Sequence, residues 1–402
     1  MTGAISMRTV LRGVIAKMRE LAISVYLLGF KVLFTLFKLF PLKNKVTFLT
    51  SFPDNPMYIY KALKKQQVEV QVVFLCHQRC FDAFKKVSNL TYLVESRNLI
   101  HTIIGIYHLA TSKQIVADNY YGFLAVTNFK KEVKCTQIWH SVGAIKQFGA
   151  EDPTNINRTP AALRRFEKVY HRFHQFAVGS DFMAAIFKKA FLADHAIFLK
   201  TGVPRTDFFF NEERHHQIKT SLYQQNALLE KKKVILYAPT FRRYEDDASK
   251  IKLDIEKMYT TLKDEYVLLI KLHPAIKSTL DLNSKYPDFV FDYRHYPDIN
   301  ELLIITDVLI TDYSSIPMEF VLFKRKMIFY AYDLEVYKND NGLWEAYESS
   351  VPGPIALNTN EVIDAVLNWE VDLLQLDAYA EKWVTYCDGN ASDSLVSELF
   401  CE

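Results

Sequence analysis

Short apolar runs alternate along most of the chain with longer stretches in which apolar residues recur every three or four positions. Runs of the first kind are typical of buried strands, and stretches of the second kind are typical of helices that pack on a sheet. Because strands and helices alternate, we expect parallel sheets with helices on both faces. The runs that predict strands are KVTFLTS, VEVQVVFLC, LTYLV, KQIVAD, CTQIWHS and QFAVGS, followed by VILYAP, YVLLIKLH, FVFDY, DVLITDY and KMIFYA.

A polar, charged stretch, NEERHHQIKTSLYQQNALLEKKK, separates the two series of strands and predicts a helix at the start of a second domain. A chain of 402 residues is also longer than one hydrophobic core usually serves. We therefore predict an N-terminal segment at 1–44, followed by two doubly wound, Rossmann-like α/β domains at 45–212 and 213–402 that face a cleft. Ligands of such sheets bind beyond the carboxyl ends of the strands.

The N-terminal segment differs from the rest of the chain in charge. The first 45 residues carry eight basic residues and one glutamate, a charge of +7, which leaves −4 for the remainder of a chain with net charge +3. The longest uncharged run of this apolar segment, 21–30, is too short to cross a bilayer. Lys17, Lys31 and Lys38 are separated by multiples of seven and fall on one stripe of a helix. This favours a helix lying on the cytoplasmic leaflet of the membrane, and the alternative is a helix packed on the protein's own core.

Composition and missing motifs exclude several classes of protein. The five cysteines are scattered and odd in number, which indicates a reducing compartment. The chain has no G-x-x-x-x-G-K-[ST], no G-x-G-x-x-G after a strand and no G-x-S-x-G, which argues against NTPases, dehydrogenases and serine hydrolases. The basic residues lie on an apolar helix without a nucleic-acid motif, so we expect no nucleic-acid partner. We predict no metal site and no organic cofactor, and the use of a divalent ion in the reaction stays open.

Polar residues directly follow most of the predicted strands. A single one of them is explained by capping of the next helix, so only their convergence predicts a site. The residues at these positions are Asp118, Asn119, Trp139, His140, Ser141, Ser180, Asp181, Gly202 to Arg205, Ala238 to Arg242, His273, Pro274 and Asp312 to Ser315.

The strand VLIT runs into Ser314 and Ser315 and then into a predicted helix, IPMEFVLF. The free amides and the dipole at a helix N-terminus favour a phosphate group, and two hydroxyls add hydrogen bonds without adding charge. Pro317 is tolerated because the first helical turn needs no donor. Ser315 as a simple cap would explain only one of the two serines.

Two histidines end strands on opposite sides of the predicted cleft. His273, followed by Pro274, can hold a phosphate oxygen or protonate it as it leaves, and the alternative is a core histidine with its hydrogen bonds satisfied. His140 is our candidate general base, because a histidine that titrates near neutrality suits proton transfer from a hydroxyl. Gly143 and Lys146 beside it are candidates for holding a phosphate-bearing substrate.

Together these motifs resemble the CDP-glycerol glycerophosphotransferases that build wall teichoic acid on a lipid carrier. The resemblance covers most of the chain after about residue 110 and implies the GT-B architecture. The histidine-proline and paired-serine elements are also similar to those of sialyltransferases that use CMP-sugars, which implies recognition of a cytidine phosphate. The motifs are WHSVGAIKQFG, VGSDFMAAIFKKAF, GVPRTDFF, LYAPTFRR, IKLHP, DINELLIITDVLITDYSSIPMEF, FYAYDLEVY, PGPIA and YCDGNASD.

Ser141 and Val142 stand where the family usually has glycine and threonine after the tryptophan-histidine pair. This departure, in a chain without the long N-terminal region of the polymerases, is most like the primase subgroup. The resemblance implies that CDP-glycerol donates glycerol phosphate to a hydroxyl of an undecaprenyl-diphosphate-linked disaccharide and that CMP is released. Polymerases of glycerol or ribitol phosphate, a GT-B glycosyltransferase that uses a CMP- or UDP-sugar, and a non-catalytic scaffold are the alternatives.

From these positions and the resemblance together we assign roles to individual residues. The assigned groups are catalytic His140 and His273; donor-binding Ser314, Ser315, Asp312, Thr240, Arg242, Arg205 and Pro274; acceptor-binding Asn119, Ser141, Gly143 and Lys146; and membrane-binding Lys17, Lys31 and Lys38.

Overall fold

Two parallel β-sheets, each covered by helices on both faces, make up the chain. The computed structural model describes residues 2–242, 251–272 and 282–400, with the side chains of all except 2–13, 16, 282 and 283. The strands are β1 Lys43–Thr50, β2 Gln71–Cys76, β3 Thr91–Leu93, β4 Ser112–Ala117, β5 Lys134–Gln137, β6 Gln175–Ala177, β7 Ile197–Leu199, β8 Lys233–Tyr237, β9 Tyr266–Ile270, β10 Val290–Asp292, β11 Val308–Thr311, β12 Lys326–Tyr330 and β13 Ile355–Ala356.

Helices fill most of the connections between these strands. They are α1 Thr2–Phe37, α2 Asp54–Lys65, α3 Gln78–Lys85, α4 Leu99–Thr111, α5 Pro160–Tyr170, α6 Asp181–Ala190, α7 Glu212–Gln225, α8 Leu228–Lys231, α9 Ile255–Leu262, α10 Leu282–Lys285, α11 Ile299–Ile305, α12 Ile316–Phe320, α13 Leu334–Asn341, α14 Tyr347–Ser350, α15 Thr359–Asn368, α16 Leu373–Val384 and α17 Ala391–Phe400.

The strand order reverses once in each sheet. The first sheet runs β3-β2-β1-β4-β5-β6-β7 and the second runs β10-β9-β8-β11-β12-β13, with parallel pairing throughout. The reversals fall between β1 and β4 and between β8 and β11, and each opens a crevice at the carboxyl ends of the strands. The predicted doubly wound α/β fold is confirmed. The short strands β7 and β13 were not predicted.

Alternation along the strands explains why both faces are covered. Val46 and Phe48 of β1 pack in a cluster with α2, α3 and α17, whereas Leu49 points to the opposite cluster with α4. That second cluster continues through the contact between the two halves and reaches Leu236 and Leu309 of the second sheet. A continuous apolar core therefore holds the two sheets together.

The C-terminal helix returns to the first half of the chain. Leu395 and Leu399 of α17 join the cluster on β1, and Asp393 accepts a hydrogen bond from Lys65 of α2 at 2.5 Å. The predicted division at residue 212 counts α17 with the second domain, whereas its contacts are with the first sheet.

One face of α1 packs on α4 and on the 3-10 turn Gly122–Val126. Leu27, Phe30 and Phe34 are buried there, and Phe30 stacks on Phe123 with ring centroids 4.9 Å apart. The rest of the helix is largely exposed. Its exposed apolar side chains include Leu21, Val25, Leu28, Val32 and Leu36.

Among the described helices, α1 is the one long and apolar enough to cross a membrane by length and composition, over Lys17–Phe37. The uncharged run 21–30 is by itself too short to span a bilayer, whereas the whole helix is long enough. Length therefore does not decide whether α1 crosses the membrane or lies on it. Lys17 and Lys31 are exposed and Lys38 is half-buried. Of the two sequence-based alternatives, packing on the protein's own core therefore accounts for one face of the helix only.

Candidate active site

A buried aspartate lies where the first sheet reverses its strand order. The carboxylate of Asp118, which directly follows β4, accepts hydrogen bonds from the backbone amides of Ser51 and Phe52 at 2.8 Å each. Tyr121 and Thr50 add hydroxyl donors at 2.9 and 3.1 Å. We call Asp118 with these donors the N-terminal clamp, since it fixes the loop after β1 to the end of β4.

Burial raises the pKa of Asp118 to about 6. Desolvation of the carboxylate is the dominant cause, and the backbone amides of Phe52 and Ser51 oppose it without cancelling it. The N-terminal clamp therefore holds an acid that resists ionisation more than an exposed aspartate does.

His140 lies three residues after β5 and next to the N-terminal clamp. Its Nδ1 lies 3.1 Å from the backbone oxygen of Asp118. Because a carbonyl oxygen only accepts, Nδ1 carries the proton and Nε2 keeps its lone pair when the ring is neutral. The imidazole stacks on Phe52 with ring centroids 4.5 Å apart, and the Trp139 ring lies 4.2 Å away. The ring is therefore fixed in orientation with one nitrogen left to accept a proton.

Burial also lowers the pKa of His140 to about 4. Desolvation is the largest cause, the hydrogen bond to Asp118 opposes it, and the charges of Arg205 and Arg79 add to it. The imidazole is therefore neutral at pH 7, as a general base must be before it acts. An anion bound beside the ring would favour the protonated form and raise this pKa.

Trp139 adopts a backbone conformation that bulky residues rarely accept. Its φ is +50°, in the left-handed region, which costs on the order of 1–3 kcal/mol. Packing of its ring on Phe148 and Phe191, at 4.9 and 5.4 Å between centroids, offsets this strain. Asn55 also donates to the Trp139 oxygen at 2.9 Å. The strained turn directs His140 toward the end of β4.

Arg205 connects His140 with the second half of the chain. Its Nη1 donates to the His140 oxygen at 3.1 Å, and its Nε and Nη2 donate to the two carboxylate oxygens of Glu319 at 2.5 Å each. Asp54 lies 3.6 Å from Nη1. Arg205 was predicted to bind the donor, and in this structure its guanidinium is occupied by protein groups.

The second sheet carries an equivalent arrangement at its own reversal point. Asp312 follows β11 and accepts hydrogen bonds from the backbone amide and hydroxyl of Thr240 at 2.9 and 2.6 Å. Arg242 donates Nη2 to Asp312 at 2.9 Å and Nε to Asp333 at 2.6 Å. The Tyr313 hydroxyl donates to Asp333 at 3.0 Å. We call Asp312, Thr240, Arg242, Asp333 and Tyr313 the C-terminal clamp.

Ser314 and Ser315 stand directly after the C-terminal clamp, at the start of α12. The Ser314 hydroxyl accepts a hydrogen bond from the Ile316 amide at 3.1 Å. Within the part of the chain that the structure describes, Ser315 occupies the N-cap position without a capping bond from its own side chain. The predicted helix is shorter than expected, since α12 ends at Phe320 and a 3-10 turn follows. Both serines are half-buried.

The loop after His140 packs against the second half of the chain. Gly143 is buried, and a Cβ there would lie 2.4 Å from Trp383 and 2.5 Å from Met318, so only glycine fits. Lys146 forms an antiparallel bridge with Leu343. Gly143 therefore serves the contact between the two halves, and a ligand could meet only its backbone.

The other predicted acceptor residues make local hydrogen bonds. Ser141 donates its hydroxyl to the Gly143 oxygen at 2.6 Å, and Asn119 accepts from the Tyr120 amide at 2.8 Å. His273 and Pro274 lie outside the described residues. Of the strand-end residues, Ser180 turns out to cap α6 through the Met183 amide, so the structural alternative holds there.

Sequence reasoning missed several residues that build this site. Asn55 and Arg79 belong to none of the quoted motifs and Glu319 belongs to one without an assigned role, and each acts on a residue far away along the chain. Arg79 donates to the Ser51 oxygen and lies 4.0 Å from the Phe52 ring centroid. A signal was present for Asp118 and Tyr313, which stood among the strand-end residues without an assigned role, and for Asp333, which lies in the motif FYAYDLEVY.

Comparisons with known proteins bear on this site. A protein-family model described as CDP-Glycerol:Poly(glycerophosphate) glycerophosphotransferase matches residues 32–401, which include both clamps and His140. The chain is 37% identical over 357 residues to the teichoic acid glycerol-phosphate primase of Bacillus subtilis (strain 168), covering 88% of this chain and 91% of that protein. It is 34% identical over 373 residues to the protein of the same name from Bacillus spizizenii (strain ATCC 23059 / NRRL B-14472 / W23), covering 92% and 96%.

Among solved structures, the fold is similar to that of the wall teichoic acid polymerase TagF. The TM-score is 0.75, and the match covers 95% of this chain and 97% of that chain at 24% sequence identity. At that identity the likeness speaks for the fold alone, and it agrees with the GT-B-type arrangement of two sheets.

Proposed function

We propose that this chain, which belongs to the CDP-glycerol:poly(glycerophosphate) glycerophosphotransferase family, adds one glycerol phosphate to an undecaprenyl-diphosphate-linked disaccharide. Family membership makes it a transferase of teichoic acid biosynthesis that uses CDP-glycerol. The acceptor, the release of CMP and the addition of a single unit are the proposal. The observation that carries it is the neutral, oriented imidazole of His140.

In the proposed reaction, an acceptor hydroxyl gives its proton to Nε2 of His140 while its oxygen attacks the phosphorus that bears glycerol. The new P–O bond forms as the bond from that phosphorus to the CMP oxygen breaks, and CMP leaves with the electron pair. In the cleft without substrate, a pKa of about 4 makes His140 a weak base. The negative diphosphate raises this pKa, so the base gains strength when the donor binds.

We assign the donor diphosphate to the side of the cleft where Ser314 and Ser315 stand, with His273 and Pro274 as further predicted contacts. Preorganised hydrogen-bond donors of this kind are worth about 3–4 kcal/mol each in other active sites. The carboxylate partners of Arg205 and Arg242 support a role for both arginines in fixing this wall rather than in touching phosphate.

Asn119, Ser141, Gly143 and Lys146 stay our proposed acceptor-side residues. Like His140, they follow the carboxyl ends of β4 and β5 in the first sheet, which supports their assignment. For Gly143 the packing against Trp383 limits the contribution to backbone groups.

We assign the exposed apolar face of α1 to the cytoplasmic leaflet, where a lipid-linked acceptor is met by diffusion in two dimensions. The packed face favours a helix that lies in the interface, because crossing the bilayer would separate Phe30 and Phe34 from their core contacts. Lys17, Lys31 and Lys38 then each add on the order of 1 kcal/mol near anionic lipids.

Flotation with vesicles that contain anionic lipid tests the membrane assignment. The double variant Leu28→Glu, Val32→Glu removes two exposed apolar side chains and adds like charge, so we expect the vesicle-bound fraction to fall by about tenfold or more. Leu374→Glu, at an 81% exposed position on α16, is the matched control and should float as wild type does. Unchanged flotation of the double variant would remove α1 from the membrane contact.

Mass analysis of the product tests the reaction. Purified protein with CDP-glycerol and a synthetic disaccharide lipid should give one added glycerol phosphate and one CMP per acceptor. His140→Ala should lower kcat by about 10²–10⁴-fold, because general base catalysis is lost. His216→Ala, an exposed histidine on α7, is the matched control and should keep full activity.

Three outcomes would contradict the proposal. A ladder of products would indicate a polymerase. Nucleotide release with CDP-ribitol, CMP-sialic acid or a UDP-sugar in place of CDP-glycerol would indicate a different donor. Full activity of His140→Ala would exclude this histidine as the base.

A further inference from the structure

A buried ion pair joins the two halves of the chain at the cleft. Arg205 belongs to the 3-10 turn Pro204–Phe210 that follows the first sheet, and Glu319 lies on α12 of the second half. The two are 114 positions apart and meet through two parallel N–H···O bonds of 2.5 Å. The side chain of Glu319 is 1% exposed and that of Arg205 is 15% exposed. The pair is therefore part of the packed contact between the two halves.

The same guanidinium reaches the backbone of the candidate base. Nη1 of Arg205 donates to the His140 oxygen at 3.1 Å. The Arg205 amide donates to Asn55, which in turn donates to the Trp139 oxygen, with both distances 2.9 Å. Residues 139 and 140 are thus held at two consecutive carbonyls by a network that starts from Glu319.

The position of Glu319 on α12 connects this network to the proposed donor serines. Glu319 lies four residues after Ser315, about one helical turn along α12 from the proposed donor serines. A bidentate arginine-carboxylate pair fixes distance and angle, whereas a single contact fixes distance alone. The network therefore sets the place of His140 relative to the start of α12.

We infer that Glu319 is a positioning residue, which acts through Arg205 to hold His140 in register with the serines at the start of α12. The inference rests on the proposed role of His140 as the base. Glu319 itself touches no reacting atom. By occupying the guanidinium, it also keeps Arg205 from serving as a phosphate ligand.

Steady-state kinetics of Glu319→Gln test this role. The glutamine amide keeps the size of the side chain but loses the charge and one acceptor oxygen. One of the two hydrogen bonds from the Arg205 guanidinium therefore has no acceptor. We expect kcat to fall by about 10–100-fold, the scale of a small misplacement of a catalytic group. KM for CDP-glycerol should stay within about threefold, because ground-state donor binding is not removed.

Arg205→Lys provides a second variant, which keeps the charge and loses the fork. Its kcat should fall by a similar factor, and the double variant should be little worse than either single variant, because the two residues act as one unit. Asp377→Asn, which breaks an exposed ion pair with Lys324 of 2.6 Å, is the matched control and should leave kcat unchanged. Thermal unfolding of each variant identifies any that fails to fold.

A different kinetic result would overturn the inference. If Arg205 binds the donor phosphate, Arg205→Lys raises KM for CDP-glycerol, and Glu319→Gln lowers it by freeing the guanidinium. A kcat of Glu319→Gln within threefold of wild type would equally exclude a positioning role.

Nitrogen-15 NMR of labelled histidine gives a readout that needs no substrate, with the His140 signal identified by its loss in His140→Ala. Wild type should show a single neutral tautomer with the proton on Nδ1, and Glu319→Gln should show a mixture. A single tautomer in both would overturn the inference. If wild type forms no product from CDP-glycerol while Glu319→Gln still shows the tautomer mixture, the proposed function is refuted and the positioning network stands.

Discussion

Asp118 and Asp312 occupy equivalent positions in the two sheets, each directly after the strand that follows the reversal of strand order. Both are fully buried. The Asp118 carboxylate accepts hydrogen bonds from the backbone amides of Ser51 and Phe52, and the Asp312 carboxylate accepts one from the backbone amide of Thr240. Where the strand order reverses, the loops that follow the two central strands run in opposite directions. Backbone amides in these loops have no neighbouring strand to pair with, so a buried acceptor is needed at that point.

The two clamps differ in how the charge of the aspartate is met. Within residues 2–242, 251–272 and 282–400, the Asp118 carboxylate accepts hydrogen bonds from amides and hydroxyls only. Asp312 instead meets Arg242, which also holds Asp333. The N-terminal clamp therefore keeps a carboxylate with a raised pKa, and the C-terminal clamp keeps an ion pair.

This difference shows which atoms of each clamp serve the site. In the N-terminal clamp the backbone oxygen of Asp118 orients His140, and the carboxylate only fixes the loop beneath it. In the C-terminal clamp the Arg242 guanidinium is engaged by two carboxylates, those of Asp312 and Asp333, so Arg242 supports the turn that carries Ser314 rather than offering a free cation. A buried arginine at the end of a strand is thus weak evidence for a phosphate ligand.

Arg242→Met breaks the C-terminal clamp and should have the largest effect. Removing one partner of a buried ion pair leaves Asp312 and Asp333 without their cation, which costs about 3–5 kcal/mol of unfolding free energy. Urea denaturation measures it. Arg214→Met is the matched control, since its pair with Glu301 of 2.8 Å lies at the surface and should cost about 0–1 kcal/mol. A loss below about 1 kcal/mol for Arg242→Met would show that this buried ion pair contributes no more to stability than a surface pair does.

The predictable part of this molecule follows from local pattern. Apolar runs predict the strands, and because parallel strand ends meet at one edge of a sheet, the pattern places Asp312, Thr240 and Arg242 close together. The same rule placed His140 at the first sheet's edge. It could not tell that Arg242 would be matched by Asp333, because residue type at a strand end does not specify a partner.

Pairings between the two halves escaped sequence reasoning for a physical reason. Glu319 meets Arg205 from 114 positions away, and neither residue has a periodic or local signal for the other. Gly143 is predicted to lie on the acceptor side because it follows His140, and the sequence carries no signal for the close approach of Trp383, which leaves no room for a side chain there. The domain bounds predicted from the sequence count α17 with the second half, and only the three-dimensional path of the chain takes it back to β1.

Asp118→Asn sharpens the comparison, because it makes the N-terminal clamp permanently uncharged. The pKa of Asp118 is about 6 in the folded protein, against an ordinary value of 3.8. Between these pH values the folded protein binds more protons than the unfolded chain, so the contribution of Asp118 to stability is lost as pH rises from about 4 through about 6. At about 1.4 kcal/mol per pKa unit, the full effect is about 3 kcal/mol.

His140 hides this effect in wild type, because its contribution has the opposite sign in the same range. Its pKa of about 4 lies below the ordinary 6.5, so the unfolded chain binds more protons and stability falls as pH drops from about 6.5 through about 4. The quantity to follow is therefore the difference in unfolding free energy between Asp118→Asn and wild type at each pH. We expect the free energy of unfolding of Asp118→Asn, relative to wild type, to rise by about 2–3 kcal/mol between pH 4 and pH 7. A difference that stays flat would mean that the charge of Asp118 is as well matched as that of Asp312, and the contrast between the two clamps would fail.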